Sequence, residues 1–263
     1  MTTLKLALLV SLFIFSIDSN AKKIYRVAVS SSCPYYCTDG DKQGYIVDIL
    51  RQFFKKYNIQ VKFETTPYAR LKDSLKRGNK DLALFTSFDL RDFSELMIYD
   101  VTLGVSSAGI ISKVGTNPVV LDVIDLKEKT IFLVPGSMAS DKLYKQVDKI
   151  NTNKSVIQLI TGSRIHDRLI NLIALGRADY AIEDYNVLRY FYSKSEYQDR
   201  LILTPSSIFG YSPLKFVSRK GLPIQKTIQE NLKGFIQNYR ESGKLKTLLD
   251  KYNIIDWNIV LTR

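Results

Sequence analysis

Ile24-Tyr25-Arg26-Val27-Ala28-Val29 opens a segment that closes on Asp81-Leu82-Ala83-Leu84-Phe85, and the order of apolar patterns between them decides the fold class. The first run is a short strand. A loop rich in Ser, Cys, Pro, Asp and Gly follows as far as Gly44. Ile46, Ile49, Leu50, Phe53, Phe54 and Tyr57 then recur at helical spacing and make one apolar stripe. Residues 61–65 alternate as a strand, and Pro67 opens a second helix that turns Leu71 and Leu75 inward. Gly78-Asn79 stops that helix, and 81–85 reads as a buried strand. The series β-loop-α-β-α-β is the grammar of a sheet covered by helices.

The same grammar returns downstream. Residues 130–134 form a strand that ends at Pro135-Gly136-Ser137, with a helix expected to about residue 147. Residues 156–160 are a strand, and Ile165, Leu169, Leu172 and Ile173 make a helical stripe closed by Gly176. A strand at 179–182, a helix at 187–191 and strands at 201–203 and 214–217 follow. The tail is helical and broken at Ser242-Gly243. No short repeat is present, so two α/β units imply two lobes.

Composition narrows the function. The chain has 263 residues, 38 Lys+Arg and 26 Asp+Glu, a net charge of +12, and globular proportions that exclude disorder and low complexity. One His and two Cys cannot build a four-ligand zinc finger or an iron–sulfur cluster, and no cofactor or metal is expected. The basic excess peaks at 51–80, where nine Lys and Arg stand against Glu64 and Asp73, but these charges alternate with apolar residues as on a solvated helix face. With no basic run of five and no aromatic RNA-binding motif, nucleic acid is not the expected partner.

Residues 1–21 read as a secretory signal peptide: Lys5, an apolar stretch over 6–17, and the small-residue exit Ser19-Asn20-Ala21. The apolar stretch is too short to span a bilayer, which needs about 20 residues. Cleavage after Ala21 would deliver a periplasmic protein. In that oxidising setting Cys33 and Cys37, in Cys33-Pro34-Tyr35-Tyr36-Cys37, are read as a structural disulfide that stiffens a tight loop, rather than as free or redox-active thiols.

Several motifs occur in an order that resembles the family 3 bacterial extracellular solute-binding proteins. They are Gly44-Tyr45-Ile46-Val47-Asp48-Ile49, Pro67-Tyr68-Ala69-Arg70-Leu71, Gly78-Asn79-Lys80-Asp81, the Ser/Thr turn from Thr86 to Arg91, Gly136-Ser137, and Gly176-Arg177-Ala178-Asp179 with Asp184. The resemblance covers nearly all of 24–253. It implies a type II periplasmic-binding-protein fold: two three-layer α/β lobes joined by a two-segment hinge, with crossings near 110–114 and 214–219. Lobe 1 would comprise 22–111 and 216–263, and lobe 2 would run through 112–215. It further implies a monomer that captures a small polar, amino-acid-like ligand and delivers it to the membrane permease of an ABC importer.

A zwitterion needs a fixed cation, an anion and donors that exclude water. By the resemblance, Arg91 would take the carboxylate as a bidentate guanidinium, assisted by Thr86, Ser87 and the N–H groups of the Gly136-Ser137 turn, with Met138 where the family often has Ser or Thr. Asp184 would take the ammonium, or else cap the helix that follows it. Tyr35, Tyr36 and Tyr68 would wall the pocket, and Arg70 would point into the cleft or cover its own helix start. Arg91 could instead pair with Asp89 or Asp92. His166 is expected as a partly exposed helix residue, and Asp48 and Asp179 as structural. Two alternatives stand beside the importer reading: a dehydratase using Asp184 or Glu183 as general acid, and an orphan sensor.

Overall fold

A computed structural model describes residues 23–37, 42–86, 94–116, 118–144, 146 and 157–261. The expected signal peptide, 1–21, lies outside them. Among the described residues no helix is long and apolar enough to cross a membrane.

The first sheet holds β1 (Ile24–Val29), β2 (Gln60–Thr65), β3 (Leu82–Thr86), β4 (Leu96–Ser106) and β10 (Ser212–Arg219), in the order β2-β1-β3-β10-β4. β1 runs parallel to β2 and β3, with Ile24 opposite Gln60 and Val27 opposite Leu82, and β10 is antiparallel to both its neighbours. The second sheet repeats the plan with β5 (Ala108–Lys113), β6 (Ile131–Leu133), β7 (Ile157–Leu159), β8 (Tyr180–Asp184) and β9 (Leu201–Ser206), in the order β7-β6-β8-β5-β9. There β6 is parallel to β7 and β8, and β5 is antiparallel to β8 and β9. The edge strand of each sheet therefore continues into the fourth position of the other: β4 into β5, and β9 into β10.

That exchange moves the crossings from where they were expected. β5 belongs wholly to the second sheet from Ala108, and β10 wholly to the first from Ser212. The chain crosses at Ser107 and again over 207–211, a few residues before the expected 111/112 and 215/216 boundaries. Ladder pairing that begins at Ala108 on β5 and at Ser212 on β10 fixes the switch at the first residue of each strand, a detail invisible in an unbroken apolar run.

Helices cover both faces of each sheet. α1 (Tyr45–Lys56) buries Ile46, Ile49, Leu50, Phe53 and Phe54. They join Phe216 and residues of α6 (Ile224–Glu241) and α7 (Lys244–Lys251), among them Ile228, Leu232 and Leu245. Each such buried Phe or Leu contributes about 1.5–3 kcal/mol. α2 (Tyr68–Lys76) packs Leu71 and Leu75 on the other face, with Phe85 and Val217. In the second lobe, Leu143 of α3 (Met138–Tyr144) meets Ile110, Leu133 and Ile182 on one face. α4 (Ile165–Ala174) meets Phe132 and Ala181 on the other. α5 (Tyr185–Tyr192) follows β8 directly, and α8 (Trp257–Leu261) ends the described chain. The two-lobed α/β arrangement implied by the resemblance is the one observed.

Candidate functional site

Parallel strands of both sheets point their carboxyl ends at one cleft, the place where open α/β sheets bind ligands. Val29 ends β1 and Ser30–Ser32 follow it, Phe85 is the next-to-last residue of β3, Val134 to Ser137 follow β6, and Glu183 and Asp184 close β8; all line a single cavity of about 180 Å³ between the lobes. That volume lies below the roughly 300–1,000 Å³ of drug-sized sites and suits a small ligand.

The Cys33–Cys37 disulfide forms, with the two Cα atoms 4.7 Å apart. Its loop sits on the start of α1: the amide of Tyr45 donates to the Pro34 carbonyl, and that of Cys37 to the Gln43 carbonyl. Gly44 makes this seat possible. It has φ +100°, and a Cβ there would lie 2.3 Å from the Tyr35 carbonyl oxygen. The seated loop then projects Tyr35 across the cleft floor, and Tyr36 turns to Thr65, hydroxyl to hydroxyl at 3.0 Å.

The Tyr35 hydroxyl lies 3.0 and 3.1 Å from the two Asp184 carboxyl oxygens and 3.0 Å from the Val105 carbonyl, and it accepts from the Asn186 side-chain amide at 3.0 Å. One phenolic proton cannot serve Val105 and Asp184 together. Burial raises the Asp184 carboxyl above its ordinary range, against donors from Ser106, Val187, Tyr35 and Asn186. It also pushes the Tyr35 hydroxyl well above 10, so Tyr35 stays a phenol. Asp184 caps α5 as well, accepting from the Val187 amide at 3.0 Å.

Glu183 is the neighbour that sequence reasoning left out of the binding set. It is 6% exposed. Its Oε1 accepts from the Asp184 amide at 2.9 Å, while the buried Oε2 has no hydrogen-bond partner among the described residues. Burial pushes this carboxyl up to about 8; the Asp184 amide and the Ser137 side chain oppose the rise, and the Asp184 charge adds to it. At neutral pH Glu183 therefore holds a proton.

His166 is a correction. It is 8% exposed rather than partly solvated, stacks on Phe191 with ring centroids 4.8 Å apart, and lines the cavity. Burial drops it to about 4, so it is neutral at pH 7. The buried face of α4 is His166, Leu169, Ile170 and Ile173, rotated by one residue from the expected stripe.

Of the expected site residues, Tyr35, Tyr36, Tyr68, Gly136, Ser137 and Asp184 come together on the cavity wall. The Ser137 hydroxyl oxygen accepts from the Ser140 amide at 3.2 Å and so caps α3. Thr86 ends β3 and Met138 begins α3. Arg70 is exposed on α2 and is not part of the lining. Ser87 and Arg91 lie outside the described residues. Ser106 and Ser30 to Ser32 also line the cavity, and the position of each at a strand end was the available signal. Among the described residues no group of His, Cys, Asp and Glu could hold a metal ion.

A profile of bacterial extracellular solute-binding proteins, family 3, matches residues 25–254. No curated protein matches the sequence significantly. Among solved structures, a mutant arginine-binding protein from T. maritima aligns at 17% identity, covering 88% of this chain and 96% of its own, with TM-score 0.67. A structure from a study of glutathione import through GshT and the cystine ABC importer TcyBC of Streptococcus mutans aligns at 15% identity, 88% and 95% coverage and TM-score 0.71. A histidine kinase sensor domain with similarity to periplasmic binding proteins gives 16%, 88%, 96% and 0.67. At these identities the likeness is one of fold.

Proposed function

Because the chain belongs to the family 3 bacterial extracellular solute-binding proteins, we propose that it captures a small amino-acid-like solute between its lobes for an ABC importer. In this reading residues 1–21 are the leader, cleaved after Ala21, and the mature protein works in the periplasm as a monomer that docks on a membrane permease. The observation that carries it is the small cavity at the carboxyl ends of both sheets, walled by Tyr35, Tyr36 and Tyr68 and floored by buried carboxyls. A ligand held by both lobes favours their closure by its contacts with each.

Such a ligand binds only the folded protein, so at a hundred times its Kd it adds about 2.7 kcal/mol of stability. A thermal-shift screen over the standard amino acids, small peptides and polyamines is expected to find at least one compound that raises Tm. A flat response across the screen rejects the reading.

The protonated Glu183 supports a second reading, a dehydratase with this residue as general acid. Turnover of a small cyclic hydroxy acid, abolished by Glu183→Gln, would carry it. A sensing role in place of transport is a third reading, and uptake measured with and without the permease separates the two.

A further inference from the structure

We infer that His166 selects the side chain of the ligand, and that it takes a neutral hydrogen-bonding end, an amide or a hydroxyl. The inference rests on the solute-binding reading and adds to it the class of solute.

The ends of β6 and β8 divide the lobe 2 wall of the cavity into two sides. On one side the Gly136-Ser137 turn opens α3, whose Ala139 and Leu143 pack with Leu133 and Ile182. On the other, Val134 and Ile165 line the cavity and pack on the core beneath α4, with Phe132 and Ala181. His166, the second residue of α4, lines the cavity beside them. Val134, Ile165 and His166 thus make a wall that is apolar but for one imidazole. That is the make-up of a side-chain pocket, where a few placed polar groups set specificity. The charged groups of an amino acid gain nothing from Val134 and Ile165, which leaves this wall to the side chain.

The imidazole is held, unspent and uncharged. Phe191 of α5 stacks on it with ring centroids 4.8 Å and planes 22° apart, which covers one face and sets the plane of the ring. Burial and the charge of Asp167 govern its titration, and among the described residues no hydrogen bond reaches either ring nitrogen. Asp167 is itself engaged by Arg164 at 3.1 Å. A neutral imidazole presents one N–H donor and one lone pair. To meet a ligand carboxylate with a charge, His166 would have to take up a proton about three pH units above the value of about 4 to which burial drops it, a disadvantage of about a thousandfold at pH 7. A carboxamide satisfies donor and acceptor together, a hydroxyl satisfies either, and neither needs a countercharge. An alkyl end of the same shape shuts water away from the ring nitrogens and pairs with neither, which is how a polar site rejects an apolar isostere.

The test uses the whole protein at pH 7 and matched probes. L-glutamine, L-asparagine, L-threonine and L-serine are titrated against their alkyl counterparts, L-homoleucine, L-leucine, L-valine and L-2-aminobutyrate, and against L-glutamate, L-aspartate and L-lysine. Calorimetry is expected to find the tightest probe among the amides and hydroxyls, at least about tenfold tighter than its alkyl counterpart and than the charged probes. The chain has one His, so in labelled protein made without a histidine tag the imidazole nitrogen resonances belong to His166 alone, and the preferred probe is expected to shift them. His166→Phe keeps a ring for Phe191 to stack on and removes the polar edge; it is expected to erase the preference while the alkyl counterpart binds as before. An alkyl or charged probe that binds as tightly as the matched amide or hydroxyl, imidazole resonances that stay still on binding, or a His166→Phe protein that keeps the preference or weakens every probe alike each overturn the inference while leaving solute capture standing. If no probe binds but the thermal-shift screen finds another ligand, the inference falls alone; a flat screen takes the solute-binding reading with it. The ranking and the resonances are read on the unaltered protein, so the result does not depend on a variant that folds.

Discussion

Replacing Glu183 by Gln removes a stability penalty that grows with pH. The Glu183 carboxyl ordinarily titrates at 4.5 and is pushed up to about 8 in the fold, chiefly by burial. Between those values the folded chain holds a proton that the unfolded chain has lost, so native stability declines as pH rises from about 4.5 through 8. At 1.36 kcal/mol per unit the penalty is about 1 kcal/mol at pH 5, about 3 kcal/mol at pH 7 and more than 4 kcal/mol at pH 8. Gln does not ionise, and its carbonyl can still accept from the Asp184 amide, so the variant escapes the penalty. At about 2–4 °C per kcal/mol for a chain of this length, the variant's Tm relative to the parent should be several degrees higher at pH 7 than at pH 5. Urea unfolding of both proteins at half-unit steps from pH 5 to 8 measures the gap directly. His166, held neutral by burial, adds a slope of opposite sign between about 4 and 6.5, but it is present in both proteins and cancels in the difference. A gap that stays constant with pH, or narrows, refutes the assignment of a buried protonated carboxyl.

Two further outcomes follow from the cleft floor. Gly44→Ala puts a Cβ 2.3 Å from the Tyr35 carbonyl at φ +100°, so the Cys33–Cys37 loop must lift from α1; a loss of about 2–4 kcal/mol in urea midpoint stability is expected, and a near-neutral variant would show that the loop is not seated as described. Tyr35→Phe removes the hydroxyl shared by Asp184, Asn186 and the Val105 carbonyl and should cost about 1–3 kcal/mol, with the loss shrinking in Tyr35→Phe/Asp184→Asn; additive losses would show the two groups are not coupled.

The first half of each sheet was legible because its elements carry clean periods. The stripe Ile46, Ile49, Leu50, Phe53, Phe54 is the buried face of α1, and Gly78-Asn79 ends α2 within two residues. β4 escaped notice although it spans eleven residues, because Asp100, Thr102 and Gly104 interrupt its apolar pattern at an edge of the sheet. The capping role of Asp184 was one of two readings open from sequence, and the structure fills it without testing the other. Glu183 shows where pattern reading stops. The period of two on β8 places it on the Ala181 side, toward α4, but nothing in the sequence says that one of its oxygens would find no donor. The rotation of α4 by one residue, which carries His166 inward, is a packing outcome that both stripes allow.

The crossings bear on how the two lobes can move. One is a single residue, Ser107, and the other spans 207–211, so any rigid rotation of one lobe on the other turns about a line through these points. Each atom is then displaced by the angle times its distance from that line. The Tyr35 hydroxyl lies 3.0 Å from the Val105 carbonyl, two residues from Ser107, and Asp184 pairs in register with Ala108, one residue beyond it. Their hydrogen bond therefore sits on the bearing of the joint, where travel is least, and holds the axle steady while the stroke is taken up at the rim.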